Sequence, residues 1–360
     1  MPVKKENRFI YAVKFIACLF VITIHAPLPG LFGDIVGAAS RFAVPFFFAV
    51  AGRFLLTDEK GGVIMPVPDI RDRVSYRLIN LLKVTGKVYL VYLIYSLFYV
   101  FSTGASFSEW FTGRFNKTEL INFLLFNSGR FIFDSSYTFD HMWYLFALIY
   151  VYGLIYIFAP VLRKWYKWLI VLLTGLLYFG EALQTWYPIR PFDISIKTWF
   201  MMRNWLFVGM PFVLMGVLFA DHLTSKRAEL GEEGYLQWTS KIKLPSIIAI
   251  VFGFILSVTE RFVIDSKEVY LGSLVIVIGI LFLSEAVTSS PKALYVLGKR
   301  ASSNIYYYHV LVIAILDYLC LKGYILQYNM WQKTILVIVI CVLIFGSRPL
   351  VDLWKGLSNE

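Results

Sequence analysis

Two side chains in the first hydrophobic run are of the kind that does chemistry. Lys14 sits inside Val13-Lys14-Phe-Ile-Ala-Cys-Leu-Phe-Val-Ile-Thr-Ile-His25, and His25 ends the run before Ala26-Pro27, which stops a helix. Eleven helical residues rise about 16 Å and turn through roughly three revolutions, so the two side chains share one helix face. A charge within a spanning helix costs on the order of 2.5–3.5 kcal/mol even on the lenient insertion scale, which makes Lys14 a functional candidate by default. Its ammonium group would neutralise an anionic or strongly polar ligand lying along the helix. Imidazole is the side chain best matched to proton transfer near neutral pH, which is the chemistry open to His25. The plainer alternative has Lys14 snorkelling and His25 satisfied at the interface.

Other candidates follow along the chain. Arg41 opens the apolar stretch Arg41-Phe-Ala-Val-Pro-Phe-Phe-Phe-Ala-Val-Ala-Gly52 on the side where His25 ends, and Gly52 permits close helix approach. Asp140-His141-Met-Trp143 opens another span, where the carboxylate can cap the helix or orient the ring. Glu260 closes a later span and is followed by Arg261, so mutual pairing is the simple alternative to ligand contact. Arg41, His141, Trp143 and Glu260 together form the candidate substrate-binding set. Arg71-Asp72-Arg73-Val-Ser-Tyr-Arg77-Leu-Ile-Asn-Leu-Leu-Lys83-Val-Thr-Gly-Lys87 is dense in cations, with Arg73 and Arg77, and Lys83 and Lys87, each four apart on a helical face. Such a run grips phosphates of a nucleotide-like cofactor or, equally, anionic lipid headgroups. His309, within Ile305-Tyr-Tyr-Tyr-His309, reads as a packed hydrogen-bonded residue, with cofactor binding as the functional alternative. Cys18, Cys320 and Cys341 all lie in hydrophobic runs without metal-ligand spacing, so neither a disulfide framework nor a metal site is expected.

The elements that must position these residues are membrane helices. The chain has 360 residues, 59% hydrophobic and only 16% charged, against about 25% charged in ordinary soluble domains. An 18% aromatic content fits many bilayer interfaces. The net charge of +11 invites a nucleic-acid partner, but basic loops between spans account for it better, and none is expected. At about 20 apolar residues per span, ten candidates fall near 10–27, 41–57, 78–102, 141–161, 167–183, 204–221, 244–262, 269–288, 302–320 and 332–350. The segments on the N-terminal side hold about twice as many Lys and Arg as those opposite, which puts both termini in the cytoplasm. The expectation is one all-α polytopic domain over residues 1–360. It has an inner basic segment at 58–77, a long outer loop at 103–140 able to carry an interfacial helix or a lid, and a solvated inner linker at 222–243.

Lys14 and His25 match the [Arg/Lys]-ten residues-His signature of the acyltransferase-3 family, integral-membrane acyltransferases that often modify cell-envelope polysaccharides. Arg41–Gly52, His141-Met-Trp-Tyr-Leu and Leu297-Gly298-Lys-Arg-Ala-Ser-Ser-Asn-Ile-Tyr-Tyr-Tyr-His309 resemble it in the right order, so the resemblance runs over roughly 8–350. It implies an acyl donor, usually acetyl-CoA, arriving from the cytoplasm and an acceptor hydroxyl met at the outer side. His25 would be the base or transient acyl carrier, and Lys14 would take the place of the signature's basic residue. The third-helix Arg-x-x-Arg of the family is not reproduced, since this chain has Arg73-x-x-x-Arg77.

The resulting expectation is a multi-pass enzyme of a bacterial inner membrane. It would transfer an acyl, most simply acetyl, group from acyl-CoA to a hydroxyl of a cell-envelope glycan or lipid-linked saccharide without a metal. Its partners would be acyl-CoA, the glycan acceptor and membrane lipids. The competing reading is a transporter on the same fold, for a small molecule such as an amino acid or for an exported polysaccharide, with Lys14, Arg41 and Glu260 lining its path.

Overall fold

The computed structural model describes residues 6–56, 66–127, 129–130, 140–180 and 202–357. Among them are twelve α-helices and no strand: α1 (Arg8–His25), α2 (Gly30–Ser40), α3 (Ala43–Arg53), α4 (Val67–Thr103), α5 (Phe107–Arg114), α6 (Lys117–Phe126), α7 (Trp143–Tyr178), α8 (Met210–Ile264), α9 (Leu271–Ala286), α10 (Lys292–Arg300), α11 (Ser302–Leu321) and α12 (Met330–Leu357). Seven helical stretches among the described residues are long and apolar enough to cross a membrane, and α9 is a shorter apolar helix.

The described residues of all ten predicted segments lie largely on helices, but not as ten separate ones. Segment 141–161 and residues 167–178 of the next are joined in the 36-residue α7, which bends at Phe158 (φ −101°, ψ 22°) just before Pro160, and residues 181–183 lie outside the described residues. Segments 204–221 and 244–262 are joined in Trp205–Ile264, which is broken at Gly231 (φ 65°, ψ 179°). The predicted linker 222–243 is therefore helical on both sides of Gly231. Its exposed, charged surface removes the apolar signal without removing the helix. The second predicted segment starts too late. Residues Gly30–Ser40 are helical, and α2 and α3 together form one 24-residue apolar stretch with Arg41 at its internal turn. Gly30–Ser40 is itself apolar; Asp34 and three glycines interrupt the run without breaking the helix. Within 103–140 lie α5 and α6, capped by Ser106 and Asn116, whose side chains accept from the amides of Glu109 and Glu119. Residues 58–65 of the predicted basic segment lie outside the described residues.

The chain packs as two compact units, residues 1–47 with 227–360, and residues 48–226. In the first, Asn7 caps α1: its Oδ1 accepts from the Ile10 amide at 3.1 Å, and its Nδ2 donates to Ser284 O at 2.6 Å. Helix α10 lies directly on α1, because a Cβ at Gly298 would stand 1.7 Å from Tyr11 O. The second half of α8 meets α9 through Gly253, Ser257, Gly272 and Gly279, small residues that let two apolar backbones approach closely.

In the second unit, Gly52 and Gly216 play the same part for α3 and the first half of α8, with a Cβ at either falling 1.9 Å from a backbone oxygen across the interface. Buried Asn127 ties three elements together. Its Nδ2 donates to Trp143 O at 3.0 Å and its Oδ1 accepts from the Trp205 amide at 2.8 Å.

Candidate active site

Helix α1 carries Lys14, Cys18 and His25 on one face, as spacings of four and seven residues require. Lys14 Nζ stands 5.6 Å from the centroid of the Tyr11 ring, a cation–π arrangement one turn nearer the N-terminus. Buried Cys18 donates through Sγ to Ser302 O at 3.2 Å, which fixes α1 against the start of α11. The helix ends at His25. Ala26 leaves helical geometry (φ −126°, ψ 76°) because Pro27 disfavours it in the residue before. Ala26 O is then free of the helix ladder and accepts from Thr334 Oγ1 of α12 at 2.8 Å, which anchors the segment that presents His25.

The side chain brought to His25 is His309. The two ring centroids are 5.1 Å apart with planes tilted by 55°. His309 is fully buried, and its Nδ1 lies 2.8 Å from Tyr306 O and 3.1 Å from Ile305 O. A carbonyl only accepts, so Nδ1 carries the hydrogen and Nε2 is the basic nitrogen of the ring. Tyr306 packs at 6.0 Å from His309 and is itself edge-on to Phe47 at 5.6 Å. Two imidazoles with one basic nitrogen fixed by its backbone can hold and pass a proton beside an apolar wall. The sequence offered His309 only as a packed residue or a cofactor contact; no local pattern ties it to a histidine far earlier in the chain.

The remaining predicted residues of this unit are engaged with protein partners. Arg41 Nη1 pairs with Glu268 Oε2 at 3.3 Å, a partner no spacing suggested. Glu260 does not pair with Arg261. Its two carboxylate oxygens accept from the amides of Leu271 at 3.0 Å and Gly272 at 2.8 Å, so it caps α9 from outside. Arg261 instead bridges Asp34 at 2.9 Å and Asp265 at 2.5 Å.

In the second unit, His141 lies in a short 3₁₀ turn, Asp140–Met142, ahead of α7. Its ring is buried, 4.9 Å from that of Tyr92. Trp143 is also buried, with its ring 5.8 Å from Phe48 and the Arg203 guanidinium 5.6 Å over it. The cations of α4 divide: Arg71 and Arg73 donate to the backbone carbonyls of Tyr156 and Leu56 at 3.2 and 3.4 Å, while Arg77 and Lys83 are exposed. Helix α5 adds a buried cation that the sequence did not single out, Arg114, which donates to Ser96 Oγ at 3.2 Å. Among the described residues no group of three or more His, Cys, Asp or Glu could hold a metal ion.

A family model described as an acyltransferase domain matches residues 7–346, nearly the whole chain. Neither the curated proteins nor the solved structures contain a match. The matched span includes both histidines, Lys14 and every helix that holds them. The chain therefore belongs to the acyltransferase-3 family of membrane acyltransferases.

Proposed function

We propose that this acyltransferase takes an acyl group, acetyl in the simplest case, from cytoplasmic acyl-CoA and places it on a hydroxyl of a cell-envelope glycan or lipid-linked saccharide. The observation that supports this reading is the approach of His309 to His25 at the end of α1. His25 takes the proton from the acceptor hydroxyl as its oxygen attacks the thioester carbonyl. The carbon–sulfur bond breaks, and CoA leaves as the thiol after receiving that proton. In the relay variant the His25 nitrogen attacks first and carries the acyl group until the hydroxyl displaces it. Lys14, about three turns away on the same face, offers its charge to the anionic part of the donor. Both termini lie in the cytoplasm, and the membrane is the plasma membrane of a bacterium. Exposed Arg77 and Lys83 hold either the donor's phosphates or lipid headgroups.

Two measurements test this. Purified in detergent, the wild type should melt higher with acetyl-CoA, by an amount equivalent to about 2.7 kcal/mol at a hundredfold excess over the dissociation constant. His25→Ala should keep that stabilisation and lose acyl transfer. Full transfer by His25→Ala at normal expression would overturn the role of His25. Absence of stabilisation by any acyl-CoA, together with solute flux in vesicles, would replace the enzyme with a transporter.

A further inference from the structure

The geometry of α1 fixes how far from His25 the rest of a CoA donor must lie. Thirteen bonds separate the thioester sulfur from the first phosphorus of the diphosphate, about 16 Å at the roughly 1.2 Å per bond of an extended chain. That is the rise of the eleven residues from His25 back to Lys14. A donor with its thioester at His25 thus brings its diphosphate to the level of Lys14. Its 3′-phosphoadenosine then falls one to two turns further, at Tyr11 and Arg8.

At that level the first unit holds a cluster that the proposed chemistry has not used. Tyr295 and Lys299 stand on one face of α10, which Gly298 brings against Tyr11 O. The Tyr11 and Tyr295 rings meet edge to face at 5.7 Å, and the Arg8 guanidinium lies 5.3 Å over Tyr295. Arg8 and Lys299 are exposed. Lys299 Nζ and the Tyr295 hydroxyl converge on a single carboxylate, that of Glu6, with Nζ donating at 2.8 and 2.7 Å to its two oxygens. Aromatic faces beside a guanidinium and an ammonium suit an adenine and a phosphate monoester. Glu6 already occupies the anion position.

We propose that Arg8, Tyr11, Tyr295 and Lys299 form the seat for the 3′-phosphoadenosine end of acyl-CoA, and that the Glu6 carboxylate occupies this seat until the donor's phosphate displaces it. The inference rests on the acyl-CoA reading above. A phosphate carries up to twice the charge of a carboxylate and adds a third acceptor oxygen, so it outcompetes Glu6 for the same donors. Exposed ion pairs are weak, and the displacement is correspondingly easy. The exposed cations of α4 are then left to lipid headgroups.

The experiment is equilibrium binding of acetyl-CoA to the full-length protein in detergent. The dissociation constant should rise about tenfold in Arg8→Gln and in Lys299→Gln and fall several-fold in Glu6→Gln. Lys241→Gln, which removes an exposed cation elsewhere in the same unit, should leave it unchanged. Acetyl-dephospho-CoA, lacking the 3′-phosphate, should bind wild type about tenfold more weakly, and Lys299→Gln should weaken it no further. If acetyl-CoA binds wild type and all three variants alike, the seat is elsewhere while the donor reading stands. If Glu6→Gln weakens binding along with the other two, the cluster only braces α1 and the proposal fails. If wild type binds no acyl-CoA, the donor reading falls and takes the seat with it.

Discussion

The rings of His25 and His309 stand 5.1 Å apart, one ending α1 and the other fully buried in α11 with Nδ1 held by backbone carbonyls. General-base catalysis contributes typically 10²–10⁴-fold, so His25→Ala should lower turnover of acyl transfer by about that factor. In the proposed mechanism His309 works through His25, so His309→Gln, which keeps a hydrogen-bonding side chain, should lose less than His309→Ala. Restoration of His309→Ala by added imidazole would identify a proton-handling role. Equal loss in both variants without rescue would make His309 a packing residue.

Gly298 is where α10 touches α1. An added methyl group meets Tyr11 O at 1.7 Å, against backbone that has no rotamer to yield. Gly298→Ala should therefore destabilise by about 3 kcal/mol, at the upper end of overpacking costs, and a thermal melt in detergent would show it. An unchanged melting temperature would mean that α10 can stand off from α1.

Helix α7 bends because Pro160 has no amide to give Tyr156 O, four residues earlier. Arg71 of α4 supplies the missing donor: Nε reaches Tyr156 O at 3.2 Å and Nη2 reaches Ile157 O at 3.5 Å. Because these bonds are exposed, Arg71→Ala should cost only about 1 kcal/mol. In a Pro160→Ala background the helix regains its own amide, and the same substitution should cost nearly nothing. Additive losses in the double variant would sink this account.

Glu260 satisfies the first amides of α9. Glu260→Ala should cost about 1 kcal/mol, as the loss of a helix cap does, without a specific effect on donor affinity. Hydrogen exchange at the start of α9 would localise the damage. A large rise in the dissociation constant for acetyl-CoA with α9 intact would instead return Glu260 to the ligand site.

The Glu6–Lys299 pair predicts a pH dependence. Its hydrogen bond from Lys299, then that from Tyr295, holds the Glu6 carboxyl below its ordinary value of 4.5. The same bond to Glu6 holds Lys299 above its ordinary 10.5. A lowered carboxyl stabilises the fold above its unfolded value and loses that contribution as pH falls through the folded one. A raised ammonium stabilises below its unfolded value and loses it as pH rises through the folded one. The pair should thus contribute fully between about pH 4.5 and 10.5 and fade outside that window. Glu6→Gln should flatten the acid limb of a melting-temperature profile; identical acid limbs would exclude the pair as its source.

Local pattern determined the membrane class, the apolar segments, the shared face of Lys14 and His25, and the helix stop at Pro27, because hydropathy, helical period and proline geometry act over a few residues. It failed where helices are polar or rich in glycine. Residues 222–243 are helical on both sides of Gly231 although they carry little apolar signal, and Gly30–Ser40 is helical although Asp34 and its glycines interrupt the apolar run. The partners of the candidate residues were decided only by tertiary packing. His309 joins His25, Glu268 takes Arg41, and Glu260 serves the amides of α9 rather than its neighbour Arg261. Such pairings depend on how close two backbones come, and that distance is set by residues such as Gly298, which meets the Tyr11 backbone from a helix far along the chain.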